Sequence, residues 1–359
     1  MNKPKHLTIL AGPQALTEIR ADGFSADRVS ILAGASGGPK WLILAALDRF
    51  VFGEFFRGRS RPLHTIGSSI GSWRMACLAM PDPAAAVERL ERGYIEQRYG
   101  ADTTPAIVSR EASRILAELL GPHREDELVS HPWVRLHILA VRCAGLCGTE
   151  HPRLQLLGFA AAALGNLVSR RLLGRRLTRV IFHSAGSDSP FRELSDLPTM
   201  HVPLQPDNLR PALLASGSIP LVLEGVRDMP GAEPGTYRDG GIIDYHLDLD
   251  YSRDDGLIFY PHFYPYIVPG WFDKGLRWRR ATVRNFGRAV LVAPSPELVA
   301  RLPYGKIPDR RDFERLDDDE RIRYWRQVVK EGERLADEFR ELLAQDRLAD
   351  VAQPFPGAA

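Results

Sequence analysis

The chain has 359 residues, 44% of them hydrophobic and 26% charged, with a formal net charge of +2. This length and composition belong to a globular protein with a sizeable core. The near-balance of charge lacks the basic footprint of a nucleic-acid binder, so no nucleic-acid partner is expected.

The amino-terminal segment MNKPKHLTILAGPQAL is basic, but Gly12-Pro13 soon breaks its apolar run, so it is expected to belong to the folded chain rather than to a signal sequence. Residues 29–33 are apolar and β-prone, end in the glycine cluster GASGG, and lead into helical periodicity over 41–56. Strand, glycine-rich loop and helix recur at once in residues 63–66, 67–71 and the stretch WRMACLAM. Further strands are expected at 134–141, 180–183, 257–260 and 289–292, with helical patterns between several of them. That alternation predicts an α/β fold whose central sheet is mostly parallel.

Cys77, Cys143 and Cys147 have no zinc-ligand spacing and are odd in number. Neither a disulfide framework nor a metal site is indicated, and a reducing cytoplasm is the expected location. Residues 154–168, LQLLGFAAAALGNLV, are the most apolar stretch, interrupted by Gln155, Gly158, Gly165 and Asn166 and short of the roughly 20 residues that span a bilayer. The arginines Arg170, Arg171, Arg175, Arg176 and Arg179 follow. A core helix with a solvated basic end is expected here, the alternative being an interfacial helix in peripheral contact with a membrane. Met229 to Gly235 reads as a loop, the aromatic and Pro-rich stretch 260–271 as a cap or surface excursion, and residues 318–349 as an amphipathic helical segment with a solvated charged face. No linker divides the chain, which is expected to form one domain over residues 1–359.

Nucleophilic catalysis by serine needs a hydroxyl exposed on a strained turn, a base in reach, and donors aimed at the developing oxyanion. The Gly-x-Ser-x-Gly pattern occurs twice, at Gly34-Ala-Ser36-Gly-Gly38 and at Gly67-Ser-Ser69-Ile-Gly71. Only the second is an elbow that enters its helix directly. The first continues into Pro39-Lys40, which suits a loop that offers backbone N–H groups to an anion. Ser69 is therefore the candidate nucleophile, and GASGGPK the candidate oxyanion loop. Tyr237-Arg-Asp239-Gly-Gly241 presents a carboxylate on a constrained turn. His246 and His262 follow it in the chain order of a Ser-Asp-His hydrolase but lie in no distinctive turn, and His183-Ser-Ala-Gly-Ser-Asp188 is a polar turn after a strand.

Taken in order, Gly37-Gly38-Pro39-Lys40, Gly67-Ser68-Ser69-Ile70-Gly71, the block ASGSIP at 215–220 and Asp239-Gly240-Gly241 resemble the patatin-like phospholipase family. The resemblance covers residues 29 to 245. It implies a three-layer α/β/α sandwich and a catalytic dyad without histidine, with Ser69 as nucleophile, Asp239 as general base and the Gly37 and Gly38 N–H groups as oxyanion donors. Lys40 would add charge stabilisation or meet an anionic head group. Two positions depart from the family's loop: Ser36 stands at its first glycine and Trp41 at its last, which implies unusual substrate access near the loop. Ser68, beside the nucleophile, is expected to make a turn hydrogen bond. The activity implied is hydrolysis of lipid or lipid-like carboxylic esters through an acyl-enzyme, needing no metal or other cofactor. Acyl transfer to an alcohol, or a catalytically inactive lipid-binding protein of the same fold, are the alternatives.

Overall fold

The computed structural model describes residues 4–100 and 102–356. Its strands are β1 (Leu7–Ala11), β2 (Val29–Gly34), β3 (Leu63–Ser68), β4 (Val134–Cys143), β5 (Leu177–His183), β6 (Thr199–Pro203), β7 (Val226–Arg227), β8 (Thr236–Asp239), β9 (Leu257–Pro261), β10 (Ala289–Pro294) and β11 (Gln353–Pro354). They form one sheet in the order β11-β1-β10-β9-β2-β3-β4-β5-β6, with β8 pairing on β4 and β7 on β8. The run β10-β9-β2-β3-β4 is parallel throughout, and the sheet is flanked by helices as a three-layer α/β/α sandwich. The continuous apolar character of these strands follows from that burial, since a sheet covered on both faces has no solvated side.

β4 fixes the centre of the molecule. β3 pairs parallel with its first part, Ser68 lying opposite Leu139. β5 pairs antiparallel along its other edge from His137 to Cys143. β8 pairs antiparallel with Ala140 to Cys143, Asp239 lying opposite Ala140. Because β5 already occupies the far edge there, β8 sits on the edge that β3 leaves free, and β3 and β8 meet end to end. Their carboxyl-terminal residues, Ser68 and Asp239, are thereby brought to adjacent positions along β4.

One buried apolar cluster extends from Leu7 to Phe355. The expected carboxyl-terminal segment forms the helix Asp318–Ala344, N-capped by Asp317, whose side chain accepts from the Glu320 N–H at 2.7 Å. It buries Trp325, Leu335 and Phe339. Gly332 lets it approach the chain after the glycine cluster, since a Cβ there would stand 2.6 Å from the Ile43 carbonyl oxygen. The periodicity over 41–56 resolves into three windings: a 3₁₀ stretch Gly38–Leu44, an α-helix Ala45–Phe50 and a π turn Val51–Phe55.

Two expectations are corrected. Residues 260–271 are no surface excursion, because Tyr260 and Pro261 end β9 and His262, Phe263, Ile267 and Val268 are buried. The helix Pro152–Val168 is not a core helix, because only one side of it is covered. No helix among the described residues is long and apolar enough to cross a membrane.

Candidate active site

Ser69 stands between β3 and the helix Ile70–Leu78 with φ 56° and ψ −129°. A non-glycine residue rarely takes a positive φ, and such a backbone costs about 1–3 kcal/mol. The flanking glycines make the turn sterically feasible. A Cβ on Gly67 would stand 2.5 Å from the Ser72 backbone, and one on Gly71 would stand 1.8 Å from the Gly34 carbonyl oxygen. The strained turn is also held by a hydrogen bond, for the Ser69 N–H donates to Ser216 Oγ at 2.9 Å. Ser216 in turn donates to the Leu139 carbonyl at 2.6 Å and lies 2.8 Å from Ser72 Oγ.

The abutting strand ends bring Ser69 Oγ to donate to Asp239 Oδ2 at 2.7 Å, across 170 residues of sequence. Asp239 Oδ1 accepts from the Gly241 N–H at 2.7 Å, and the Asp239 N–H donates to the Ser218 carbonyl at 3.0 Å. Gly240 must lack a side chain, because a Cβ there would meet the Leu139 carbonyl at 2.4 Å and Ser68 Oγ at 2.7 Å. Burial pushes the Asp239 carboxyl up to about 6, against the hydrogen bonds from Ser69 and Gly241 and the charges of Arg310 and Lys274, which pull it down. Just beyond the turn, Asp244 is clasped by Arg179 of β5 through two bonds of 2.7 and 2.8 Å, and by Arg170 at 3.2 Å. This bidentate grip fixes where the Asp-Gly-Gly turn leaves the sheet.

The glycine loop closes over the same point. Ser36 Oγ donates to Ser68 Oγ at 2.9 Å, its N–H donates to the Tyr245 carbonyl at 2.9 Å, and its hydroxyl occupies the space a Gly241 side chain would fill. Ser36 is thus committed to a partner other than a carboxylate, while Ser69 faces one. Gly37 is extended at φ 177°, and a Cβ on it would stand 2.5 Å from the Phe263 ring. Gly38 adopts φ 55°, where a side chain would be strained. Among the described residues neither amide has a backbone acceptor in a turn or loop. Both departures from the family's loop point inward: Ser36 is bonded to Ser68, and Trp41 is fully buried with its ring 6.2 Å from that of Tyr94.

Three cations surround this centre. Lys40 is partly covered, and burial lowers its pKa. Lys274 lies 4.1 Å from the centre of the Tyr245 ring and retains exposed surface; the protein around it, then repulsion from Lys40 and Arg310, lower its pKa to about 7. Arg310 passes over Gly38, its Cγ 3.5 Å from where a Cβ would stand, and its buried Nη1 has no hydrogen-bond partner among the described residues. Sequence reasoning missed Lys274, Arg310 and Ser216 as parts of the site. Ser216 lies inside the ASGSIP block and could have been flagged by it, whereas the other two sit in segments with no motif. His246 and His262 are fully buried, and burial drives both pKa values down, that of His262 to about 3. Neither bonds to Ser69 or Asp239; His262 Nδ1 is 2.6 Å from the Tyr264 carbonyl, and His246 Nδ1 accepts from the Val268 N–H. His183 stacks beside His137, outside the dyad.

Comparison of the chain with protein-family models, with curated proteins and with solved structures finds no match.

Proposed function

We propose that the protein is a serine acyl-ester hydrolase of patatin-like type, in which Ser69 is the nucleophile and Asp239 the general base. The observation that carries this reading is the 2.7 Å hydrogen bond from Ser69 Oγ, on a strained elbow, to a buried carboxylate. A carboxylate at the ordinary value near 4 is a feeble base toward a serine hydroxyl, and the rise to about 6 brings Asp239 toward a useful range. As Ser69 Oγ bonds to the ester carbonyl carbon, its proton passes to Asp239 and the carbonyl oxygen becomes an oxyanion. The Gly37 and Gly38 N–H groups would receive that charge, each donor contributing roughly 3 kcal/mol in the transition state. Collapse breaks the bond to the alkoxide, which takes the proton from Asp239 and leaves an acyl-enzyme. Water, deprotonated by Asp239, then releases the carboxylic acid and restores Ser69.

The family resemblance supports a lipid or lipid-like ester as substrate. Lys40, Lys274 and Arg310 support an ester that carries an anionic group, because Asp239 and Asp309 only partly offset the repulsion among three crowded cations. Labelling with a fluorophosphonate probe tests the assignment. Parent and Ser36→Ala protein should label, and Ser69→Ala should not. Labelling that persists in folded Ser69→Ala overturns it. Product analysis on p-nitrophenyl esters and phospholipids with and without added glycerol separates hydrolysis from acyl transfer.

A further inference from the structure

The helix Pro152–Val168 is largely apolar, and one side of it is uncovered. Gln155, Gly158, Phe159, Ala162 and Asn166 form its buried arc. At 100° per residue, Leu156, Leu157, Leu164, Leu167 and Val168 fall on the opposite arc, and they are 57, 59, 66, 54 and 81% exposed. An apolar helix face is suited to a core or to lipid, not to water. Trp278, 75% exposed, lies near the carboxyl end of the helix: its neighbour Arg279 donates to Asn166 Oδ1 at 3.1 Å and to the Leu167 carbonyl at 3.2 Å.

The charge carried by the helix with the turn after it, and by the segment around Trp278, is all of one sign. No acidic residue occurs between 151 and 176 or between 274 and 288, while the first stretch holds Arg153, Arg170, Arg171, Arg175 and Arg176 and the second six further cations. Arg153, Arg171, Arg175 and Arg176 are exposed, and none forms an ion pair among the described residues. We infer that this face docks on an anionic lipid surface, the leucines entering the acyl boundary, Trp278 lying at the headgroup level and the arginines meeting lipid phosphates. A second copy of the chain fits less well, because a contact through this face would bring together two surfaces whose unpaired charges are all positive.

The face is joined to the candidate active site by short links. Gln155 Oε1 accepts from the Leu221 N–H at 2.7 Å, and three residues before Leu221 the Ser218 carbonyl accepts from Asp239. On the other side, Phe272 packs against Phe159 of the helix with ring centres 6.5 Å apart, two residues before Lys274. Both links leave from the buried side of the helix, and the docking itself needs no hydrolysis.

Co-sedimentation with vesicles tests it, using the parent chain and Ser69→Ala so that lipid breakdown plays no part. With vesicles of phosphatidylglycerol and phosphatidylcholine at low salt, both proteins should pellet, and Trp278 should contribute a blue shift of emission that Trp278→Phe lacks. Leu156→Ser/Leu157→Ser/Leu164→Ser should bind at least tenfold more weakly with an unchanged circular dichroism melt. Arg171→Glu/Arg175→Glu should bind at least tenfold more weakly at low salt and lose the salt dependence of the parent. The inference is overturned if the parent stays in the supernatant, if the leucine variant binds like the parent, or if the leucine variant only dissolves a dimer of the free protein. Each of these outcomes leaves the fluorophosphonate result, and with it the hydrolase reading, standing by itself.

Discussion

The two ends of β3 carry buried titratable groups of opposite fate. At the carboxyl end, burial raises the pKa of Asp239, but Ser69, Gly241 and two cations oppose it and hold the value at about 6. At the amino end, His64 begins a row of four imidazoles running across β3, β4, β5 and β6: His64, His137, His183 and His201, each ring centre 5.5 Å from the next. Burial lowers the pKa of all four. The nearest imidazoles add to this in His137 and His183, and no carboxylate outweighs the effect. Burial alone silences a titratable group; burial set against donors and charges leaves it poised. The poised end is also the one with the strained backbone, a pairing typical of sites whose geometry is imposed from outside.

The sharpest break between the two ends should come from the dyad. Ser69→Ala and Asp239→Asn are each expected to lower kcat on an activated ester by about a thousandfold or more. Asp239→Asn should at the same time raise the stability of the fold at pH 8, by about 3 kcal/mol, because it removes a buried charge whose pKa is raised. Denaturant melts of both variants check this. A destabilised Asp239→Asn would mean that its neighbours favour the carboxylate more than burial penalises it.

The imidazole row should appear as acid sensitivity. His183 has a pKa of about 4 in the folded chain against about 6.5 when unfolded. Between those values the unfolded chain binds more protons, so stability falls as pH falls from 6.5 to 4, by up to about 1.4 kcal/mol per pH unit for this one group. Asp239 has the opposite sign over roughly pH 4 to 6, since its folded form holds the proton more tightly. Replacing His183 by Gln should flatten the decline seen in denaturant midpoints from pH 6.5 to 4 while leaving pH 8 nearly unchanged. An identical slope in the variant would show that His183 is free to protonate in the native state.

Which parts of this were legible beforehand follows from how local their cause is. Ser69, Gly37, Gly38 and Asp239 are marked in the sequence because close backbone approach or a positive φ demands glycine beside them, and such demands are met within a few residues. The strands β2, β3, β4, β5, β9 and β10 were legible as apolar runs for the same reason. β8 was not: four residues that cover the spare end of β4 need no apolar pattern, yet they alone bring Asp239 to Ser69. Lys274 and Arg310 reach the site from segments without periodicity, so nothing in their neighbourhoods signals it. The helix Pro152–Val168 misled in the other direction, since apolar composition cannot say which of its sides the fold leaves bare.

Ser216 gives a smaller effect that separates positioning from chemistry. It touches neither the dyad carboxylate nor the Ser69 hydroxyl, but it holds the Ser69 N–H and the Leu139 carbonyl. Ser216→Ala leaves both buried groups without this partner, at about 1–3 kcal/mol. We expect kcat to fall about tenfold with KM nearly constant, because the elbow loses its exact angle while the rest of the binding surface is untouched. A change confined to KM would place Ser216 against the substrate instead.

The finest adjustment concerns Arg310. Its charge favours ionised Asp239, so Arg310→Gln should move the rising limb of kcat/KM from about pH 6 toward higher pH by a fraction of a unit. Activity should therefore drop at pH 6 and recover by pH 8 on a neutral ester. The difference between parent and variant should shrink in high salt, because salt screens the Arg310 charge that the variant lacks. On an anionic ester the same substitution should also raise KM at every pH, since Arg310 Nη1 is a buried donor with no partner among the described residues. A rising limb that moves to lower pH would mean that the guanidinium acts on Asp239 only through the water and side chains it displaces, and the electrostatic contrast between the two ends of β3 would then rest on Ser69, Gly241 and Lys274.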